Sequence, residues 1–386
     1  MKVTHLTTVH PPDDNRIFKI CRSIARSGQS VSFVVPADED RVVEGVAIKA
    51  VPKPLSRWQR MLRTTWYVYR RALRERANIY QFHDPELIPA GLALRAFTKS
   101  EVIYDIHENV PEQMLSKSYL PGLLRKAIVT AFDWFERCSA RGLSALVTAN
   151  VDINERFSSV SGRIVVIHNY ADRDEFCHVP ETDNSRYKSG IVFHSAASAR
   201  TSFPAVLRAI ELIPKEVDFR LMVTACSASE AQEVEQLRQQ LPTQRLESLG
   251  SLTREELAQT LSRSAVSLVL YDQPRNHCSI RSNRFYESLA AAAPVIVPDF
   301  PEWRATVESI GCGLSVDPAD PEAIAGAVSY LLTHPEVSAA MGKRGRLAFL
   351  RKFNWERETE RLLELYGTLL GKDPRNPANV VTNVVP

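Results

Sequence analysis

The chain has 386 residues, of which 44% are hydrophobic and 24% are charged, and its formal net charge at pH 7 is +3. This length favours two domains over a single core, and the composition is that of an ordinary globular protein. So small a net charge gives no reason to expect nucleic acid as a partner.

The first part of the chain alternates predicted strands with predicted helices. Strands are predicted at residues 2–9, 30–36, 78–82, 101–106, 145–148 and 164–167. Helices separate them, including a long basic and aromatic helix over residues 57–76. This alternation predicts a parallel sheet that is covered by helices on both faces. Residues 171–189 are polar and acidic and interrupt the pattern, so we predict a linker there.

The same alternation then begins again. Strands are predicted at residues 190–194, 219–224, 245–249, 266–271, 295–297 and 313–316, with helices between them. We therefore predict an α/β protein with two doubly wound, Rossmann-like domains, whose parallel sheets face each other across a cleft. The tail, residues 372–386, has prolines and asparagines without an apolar period, and we expect it to be disordered.

The composition also suggests a compartment. Six cysteines are scattered without a C-x-x-C pair, which indicates neither a zinc site nor a disulfide framework and favours a reducing compartment. The first residues, MKVTHLTTV, lack the apolar run of a signal peptide, and no uncharged apolar stretch is long enough to span a membrane. We expect a cytoplasmic protein, with peripheral attachment to the inner face of the cytoplasmic membrane left open.

Three histidines mark a candidate site in the first domain. His10, His83 and His107 each follow a predicted strand. Because ligands of open α/β sheets bind beyond the carboxyl ends of the strands, this shared position predicts a site there. Each histidine could instead simply end its strand, and His83 is predicted to shape a turn.

A second candidate site lies around the helix that begins near Ser282. Ser282 can cap this helix, and its first turn offers unpaired N–H groups beside Arg284, which together favour an anion. Glu287 lies one turn further on, among small and apolar residues where a carboxylate needs a partner. This arrangement predicts a nucleotide site, with phosphates at the N–H groups and ribose hydroxyls at Glu287. A structural carboxylate that pairs with Arg284 is the alternative.

Several segments, in this order, resemble the family 4 glycosyltransferases, which are retaining, metal-independent enzymes of the GT-B fold. The segments are THLTTVHPPDDNRIFK, YQFHDPELIP, VIYDIHENVPEQ, VVIHNYAD, ESLGSLTREELAQTLSRSAVSLVLY, NRFYESLAAAAPVIVPDFPEWR and FNWERETERLLELY. The resemblance implies that residues 1–170 bind the acceptor and residues 171–354 bind a nucleotide sugar. It also implies that the helix at 355–371 crosses back to the first domain.

The resemblance assigns roles to individual residues. It implies that Glu287 holds the ribose of the donor, that His107 lies near the transferred sugar, and that Arg200 neutralises the diphosphate leaving group. It also places two sets of residues by position. The donor-binding set is Ser279, Ser282, Asn283 and Arg284, and the set at the acceptor and the inter-domain cleft is His10, Asp14 and Arg16. No metal or other cofactor is expected.

Two departures from the family pattern leave the function open. Many members carry a glutamate seven residues before the position of Glu287, where this chain has Ser279, and a lysine shortly after the position of Arg200, which is missing here. The leading hypothesis is a glycosyltransferase of bacterial capsule, exopolysaccharide or lipopolysaccharide synthesis, acting on a saccharide or lipid-linked acceptor. The alternatives are a non-catalytic sugar-binding subunit that partners an active enzyme, and a nucleotide-sugar epimerase.

The predicted helix at residues 57–76 has two interpretations. It carries seven arginines and a single acidic residue, Glu75, together with Trp58, Trp66, Tyr67 and Tyr69. It could be a solvated helix whose aromatic residues enter the core. It could also lie on an anionic membrane surface, with arginines at the headgroups and aromatic rings at the boundary.

Overall fold

The computed structural model describes residues 1–116, 122–160, 162–177, 190–193, 202–224, 231–232, 234–236, 239, 245–272 and 282–371. These residues form two compact units. The first unit contains Met1–Asn169 and the chain from Glu358 onward, and the second contains Tyr170–Arg357. The predicted tail, residues 372–386, lies outside the described residues.

The first unit is built on an eight-stranded sheet with helices around it. Its strands are β1 (Lys2–Leu6), β2 (Ser30–Pro36), β3 (Arg41–Val43), β4 (Val46–Val51), β5 (Ile79–Phe82), β6 (Glu101–Ile106), β7 (Ala145–Thr148) and β8 (Ile164–Val166). Its helices are α1 (Ile17–Arg26), α2 (Arg57–Gln59), α3 (Thr65–Glu75), α4 (Ile88–Phe97), α5 (Val110–Ser116), α6 (Gly122–Ala140) and α7 (Val151–Phe157). The strand order is β3-β4-β2-β1-β5-β6-β7-β8.

Strand order and burial explain why the central strands are so apolar. Neighbouring strands run parallel from β4 through β8, and their Val, Ile and Phe side chains are buried except in the edge strand β8, where they are partly buried. Strands of a parallel sheet are covered on both faces, so nearly continuous apolar runs are expected in them. The sheet order reverses between β1 and β5, which makes the carboxyl ends of these two strands the topological switch point.

The structure corrects the sequence prediction at two places in this unit. Strands β3 and β4 were not predicted; they form an antiparallel hairpin at the edge of the sheet, joined by Glu44 and Gly45, both of which have positive φ. The predicted helix at 57–76 contains a π-helical segment, Arg60–Thr64, between α2 and α3, and it ends where Arg76 adopts the left-handed conformation.

The second unit is built on a six-stranded parallel sheet. Its strands are β9 (Gly190–Phe193), β10 (Arg220–Thr224), β11 (Leu246–Gly250), β12 (Val266–Leu268), β13 (Val295–Pro298) and β14 (Gly313–Val316), in the order β11-β10-β9-β12-β13-β14. Its described helices are α8 (Phe203–Leu212), α9 (Arg254–Arg263), α10 (Asn283–Ala290), α11 (Pro301–Ile310), α12 (Pro321–Thr333) and α13 (Pro335–Arg351). The switch point of this sheet lies between β9 and β12.

The start of the second unit is not a linker, contrary to the sequence prediction for residues 171–189. Ala171 and Phe176 are buried in the same apolar cluster as Phe349, and a short 3-10 helix, Asp174–Phe176, leads through it. Residues 178–189 lie outside the described residues. The acidic side chains of this stretch suggested a linker, because the sequence does not show that Ala171 and Phe176 pack into the core.

The last helix, α14 (Trp355–Leu369), contains residues of both units. Trp355 is buried and donates its backbone N–H to Ala171 within the second unit. From Glu358 onward the helix belongs to the first unit, where the Glu358 carboxylate accepts the backbone N–H of His168 and the Tyr366 hydroxyl donates to Gln81. Among the described residues, no helix is both long enough and apolar enough to cross a lipid bilayer.

Candidate functional site

The first unit gathers polar side chains at its switch point. His10 lies in the loop after β1, His83 directly after β5, and His107 directly after β6. Because these strands are adjacent and parallel, their carboxyl ends meet at one edge of the sheet. The His83 and His107 rings have centroids 5.0 Å apart, and those of His10 and His107 are 5.6 Å apart. The structure therefore brings together the three histidines that the sequence placed at strand ends.

His10 is held between two carboxylates. Its Nδ1 lies 3.0 Å from Asp14 Oδ2, and its Nε2 lies 3.5 Å from Asp84 Oδ1. Burial by itself would lower the pKa of His10, but the hydrogen bond with Asp14 and the surrounding carboxylates outweigh it and raise the pKa. The other oxygen of Asp14 accepts the N–H groups of Arg16 and Ile17, which open α1. Asp14 thus both caps the helix and orients the histidine.

Arg16 points into the interior of the first unit. Its side chain donates to the carbonyl of Ile167 at 2.9 Å and to Asp105 Oδ1 at 3.0 Å, and the residue is only 6% exposed. Burial opposes the charge on Asp105, but the Arg16 guanidinium and the neighbouring histidines hold the pKa of this carboxyl well below its usual range. The sequence placed Arg16 among the acceptor residues, whereas its contacts in the structure are structural ones.

His83 is the centre of a buried chain of histidines. Its Nε2 lies 3.0 Å from Nδ1 of His5, and its Nδ1 lies 3.0 Å from Nε2 of His107 and 3.3 Å from Oδ2 of Asp105. The sequence analysis favoured a turn-shaping role for His83, but its side chain is fully buried in this network. Within the described ranges, His83, Asp105 and His107 are the group whose donor atoms are close enough to hold a metal ion.

The second unit has its candidate site near the switch point of its own sheet. Residues 194–201, which follow β9 in the chain, and residues 273–281, which precede α10, lie outside the described residues. Two predicted site residues, Arg200 and Ser279, fall within these ranges. The described part of the site consists of the start of α10, Glu287 on that helix, and the side chains that contact them.

Glu287 is buried against an arginine that the sequence analysis did not identify. The residue is 4% exposed, and its Oε1 lies 2.5 Å from Nη1 of Arg254, the first residue of α9. Arg254 also donates through Nη2 to Glu175 at 2.6 Å. Burial would lower the pKa of Arg254, but the charges of Glu287 and Glu175 raise it. The structural alternative considered from the sequence named Arg284 as the partner; the described residues show an ion pair with Arg254.

The start of α10 differs from the prediction in one detail. Ser282 occupies the N-cap position, but its side chain makes no capping hydrogen bond; its hydroxyl lies 2.7 Å from the hydroxyl of Tyr271. Asn283 and Arg284 form the first turn and are partly exposed. The first-turn N–H groups therefore have no side-chain cap among the described residues, and such groups attract anions.

The residues that sequence reasoning missed share one property: their partners are distant in the chain. They are His5, Gln81, Asp105, Glu175 and Arg254. Only Arg254 had a local signal. It follows Thr253, which forms a capping box with Glu256, so the sequence pattern could have placed it on the first turn of a helix. Nothing local indicates that its side chain reaches Glu287.

Comparison with known families and structures agrees with the resemblance seen in the sequence. Residues 15–170 match the model of a glycosyl transferase 4-like domain, and residues 206–364 match that of a glycosyl transferase-like family. The two matches together cover most of the chain. No curated protein sequence matches the chain significantly.

Solved structures that resemble this one share its fold at low sequence identity. The sucrose-phosphate synthase of Thermosynechococcus elongatus aligns with a TM-score of 0.71 at 15% identity, over 96% of this chain and 99% of its own. The HepE protein of Anabaena, solved in complex with UDP-glucose, aligns with a TM-score of 0.67 at 13% identity, over 95% and 100%. WaaG, a glycosyltransferase involved in lipopolysaccharide biosynthesis, aligns with a TM-score of 0.64 at 12% identity, over 95% and 99%.

These findings agree with the architecture described above, in which two α/β units each carry a candidate site near the switch point of a mainly parallel sheet. The family models cover both units, and the similar structures span nearly the whole chain. The chain therefore belongs to the glycosyltransferases of the GT-B fold.

Proposed function

We propose that this enzyme moves a sugar, with retention of anomeric configuration, from a nucleotide-sugar donor to a saccharide or lipid-linked acceptor in the synthesis of a bacterial surface polysaccharide. The second unit binds the donor and the first unit binds the acceptor. The observation that carries the proposal is the buried Glu287 carboxylate, held by Arg254 one turn beyond a helix start that has no side-chain cap in the described part of the chain.

The start of α10 suits a nucleotide diphosphate. Its open N–H groups and positive dipole end attract phosphate oxygens, while Arg284 adds a positive charge beside them. A carboxylate such as Glu287 accepts hydrogen bonds from vicinal ribose hydroxyls, so the base and ribose would lie further along the helix. The HepE structure with UDP-glucose gives an example of a similar fold that binds a nucleotide sugar.

The proposal also gives catalytic roles to two residues that match positions of the family pattern. Arg200, outside the described residues, would neutralise the diphosphate as it leaves, and His107 would contact the transferred sugar. Transfer then depends on charge stabilisation by protein groups and requires no metal ion. Two assays test these points: the anomeric configuration of the first-formed product by NMR, and turnover after treatment with EDTA.

The donor site is tested by the change Glu287→Gln. This substitution keeps the size of the side chain but weakens its hydrogen bonds to ribose hydroxyls. Hydrogen bonds to charged groups contribute about 1.5–3 kcal/mol, so we expect donor affinity to fall roughly tenfold to a hundredfold. Calorimetric titration with UDP-, GDP- and ADP-sugars measures this loss, and circular dichroism checks that the fold is kept.

A matched control for Glu287→Gln is Glu255→Gln. Glu255 is an exposed carboxylate on the first turn of α9, next to Arg254, and bonds only to Gln259 in the described part of the chain. We expect donor affinity to be unchanged in this variant. Equal affinity in the wild type and Glu287→Gln would refute the ribose-binding role. Donor binding without any turnover in the wild type would favour the non-catalytic alternative.

We also propose that the surface formed by residues 57–76 rests on an anionic membrane. Three of its four aromatic side chains are largely exposed, with Trp58 at 73%, Trp66 at 54% and Tyr67 at 44%, whereas Tyr69 packs against the core. Leu62 beside them is 70% exposed. Arg63, Arg70 and Arg74 are exposed among them. Exposed apolar side chains interleaved with arginines match the depth profile of an anionic lipid surface.

Vesicle flotation tests this surface. Arg60 and Arg71 form ion pairs with Glu86 and Asp40, so the informative variant instead changes three of the other exposed arginines, Arg63, Arg70 and Arg74, to Gln. Each basic residue near an anionic surface contributes about 1 kcal/mol, and we expect the variant to lose most of its binding to phosphatidylglycerol vesicles.

The control for flotation removes equal charge elsewhere on the first unit. It changes three other exposed arginines, Arg26, Arg41 and Arg163, to Gln, and it should float as the wild type does. High salt should release the wild type, because it screens the headgroup charges. A wild type that stays in the soluble fraction at low salt, or equal flotation of the two triple variants, would refute this membrane surface.

A further inference from the structure

The histidine chain of the first unit contains side chains that the proposed function does not use. His5, His83 and His107 follow one another through two nitrogen–nitrogen contacts of 3.0 Å. Asp105 lies beside the second contact, 3.3 Å from Nδ1 of His83 and 3.5 Å from Nε2 of His107. His5 and Asp105 are fully buried, whereas the side chain of His107 is 16% exposed. The chain therefore runs from the core to the residue expected to meet the sugar.

Hydrogen-bond requirements decide which ring nitrogen of His5 carries the proton. His5 Nε2 is buried and has no hydrogen-bond partner among the described residues. Both rings are buried, and the Asp105 carboxylate beside His83 is already paired with Arg16, so neither ring has a counter-charge of its own; each is neutral and carries one N–H. An unpaired buried N–H costs more than an unpaired lone pair, and the proton of His5 therefore lies on Nδ1. His5 then donates to Nε2 of His83, which must be the unprotonated nitrogen of that ring.

This assignment fixes the proton of His83 on Nδ1. There it points toward Oδ2 of Asp105 and Nε2 of His107, at 3.3 and 3.0 Å. His107 consequently accepts through Nε2 and carries its own proton on Nδ1. The reverse arrangement, with His107 Nε2 donating to Asp105, would use a distance of 3.5 Å and would leave two N–H donors 3.0 Å apart.

Asp105 is itself held in one orientation. Arg16 donates to Oδ1 at 3.0 Å, and the amide nitrogen of Gln81 donates to Oδ2 at 3.0 Å. The amide of Gln81 cannot turn over, because its oxygen would then face the Asp105 carboxylate, which has no proton to donate; in the observed orientation that oxygen accepts the hydroxyl of Tyr366 at 2.6 Å. These contacts leave the carboxylate as a fixed acceptor for His83.

We propose that His83, fixed by His5 and Asp105, is a positioning residue that holds His107 in the Nδ1–H tautomer, so that His107 offers a hydrogen-bond donor to a substrate oxygen. The role of His107 toward substrate rests on the proposed function; its tautomer does not. The donor N–H would stabilise negative charge that develops on that oxygen during transfer.

A bound divalent cation is the alternative explanation of the same contacts. One donor atom from each of His83, Asp105 and His107 lies within 4.8 Å of the other two, a spacing that ligands of one metal ion also show. The network favours the proton assignment, because both oxygens of Asp105 already accept N–H groups and the Arg16 guanidinium lies 3.0 Å away. A cation would have to bind beside that positive charge.

Nitrogen NMR of the ¹⁵N-histidine-labelled full-length protein tests the tautomer directly. Neutral rings protonated at Nδ1 and at Nε2 give different nitrogen shifts, and His107 is assigned by comparison with His107→Gln. We expect Nδ1–H for His107 in the wild type. An Nε2–H tautomer would overturn the proposal. This measurement requires no activity, so it stands even if His107 is shown not to act on substrate.

Two substitutions at His83 separate positioning from packing. His83→Asn keeps an amide N–H near the place of Nδ1, whereas His83→Phe keeps the ring without its hydrogen bonds. We expect His83→Phe to lose the Nδ1–H preference of His107 and to lower kcat roughly tenfold to a hundredfold with the donor KM nearly unchanged, and His83→Asn to restore much of both. If kcat fell equally in both variants while the tautomer of His107 stayed unchanged, His83 would contribute only packing.

Two further outcomes are informative. If His83→Phe does not fold, the nitrogen spectrum of the wild type still tests the tautomer of His107. Addition of Co²⁺ gives the metal alternative its own signal: visible absorption bands that vanish in His83→Asn would overturn the proton assignment, and their absence supports it. Full activity of His107→Ala with the predicted tautomer intact would refute the catalytic role of His107 and leave the positioning network standing.

Discussion

Both units hold a buried carboxylate against an arginine near the switch point of a sheet, but the two ion pairs differ in their surroundings. Asp105 and Arg16 are both almost fully buried, and the carboxylate oxygen of Asp105 that does not contact Arg16 accepts the amide of Gln81. Glu287 is equally buried, but the side chain of its partner, Arg254, is 38% exposed and shared with Glu175. The first carboxylate is enclosed by protein donors, whereas the second pair borders solvent. An enclosed pair orients neighbouring groups, and a pair at the surface can rearrange when a ligand arrives.

The largest expected effect comes from breaking the enclosed pair. In Asp105→Asn the guanidinium of Arg16 keeps its charge in the interior without a counter-charge. Removing one partner of a buried ion pair typically costs about 3–5 kcal/mol, and we expect the free energy of unfolding to fall by that amount. Urea denaturation measures it. The matched control is Asp38→Asn, whose pair with Lys53 is exposed and should contribute little. A wild-type denaturation midpoint for Asp105→Asn would contradict this difference between the two pairs.

An intermediate effect is expected at the solvent-bordered pair. Arg254→Gln removes the cation that holds the Glu287 carboxylate, and we expect donor affinity to fall about tenfold, less than in Glu287→Gln. Arg254→Lys keeps the charge but cannot contact Glu287 and Glu175 with a planar fork, so its affinity should lie between those of Arg254→Gln and the wild type. Calorimetric titration measures whether donor affinity falls or rises in these variants. Tighter donor binding in Arg254→Gln would show that Arg254 competes with the ribose for Glu287.

The smallest expected effect is a pH dependence within the first unit. Burial lowers the pKa of His5 and His83 below the ordinary value of 6.5 and outweighs the Asp105 carboxylate, which acts in the opposite direction. The unfolded chain therefore binds more protons than the folded one just below pH 6.5, and stability falls as the pH drops through that range. Each such histidine contributes a slope of up to about 1.4 kcal/mol per pH unit. Urea unfolding between pH 7.5 and 5 measures it, and His83→Asn should have a shallower slope.

His10 provides a contrast of opposite sign for the same experiment. Its pKa is raised, so the stability that it contributes is present below pH 6.5 and is lost as the pH rises through its folded value. His10→Asn should therefore remove a contribution that acts against the slope of His5 and His83. If the free energy of unfolding of the wild type and of both variants stayed constant between pH 7.5 and 5, these histidines would have the same pKa in the folded and unfolded chain.

The hairpin of β3 and β4 shows why a pattern can be too short to recognise. Its first strand has three residues, and its two-residue turn has Glu44 where asparagine or aspartate is usual before glycine.

The stretch around Phe176 was misjudged for a different reason. Its acidic residues suggested a linker, and only the packing of the second unit reveals that Ala171 and Phe176 enter the core.

The sequence by itself determined the alternation of strands and helices in two α/β domains, the strand-end positions of His10, His83 and His107, and the position of Glu287 on a helix. These features follow from local periodicity, because buried parallel strands and amphipathic helices leave regular apolar patterns. Only the tertiary structure decided which charges pair. Arg16 meets Asp105 across 89 residues, and Arg254 meets Glu287 across 33. Such pairing depends on which strands become neighbours and where long side chains end, and no local pattern records either.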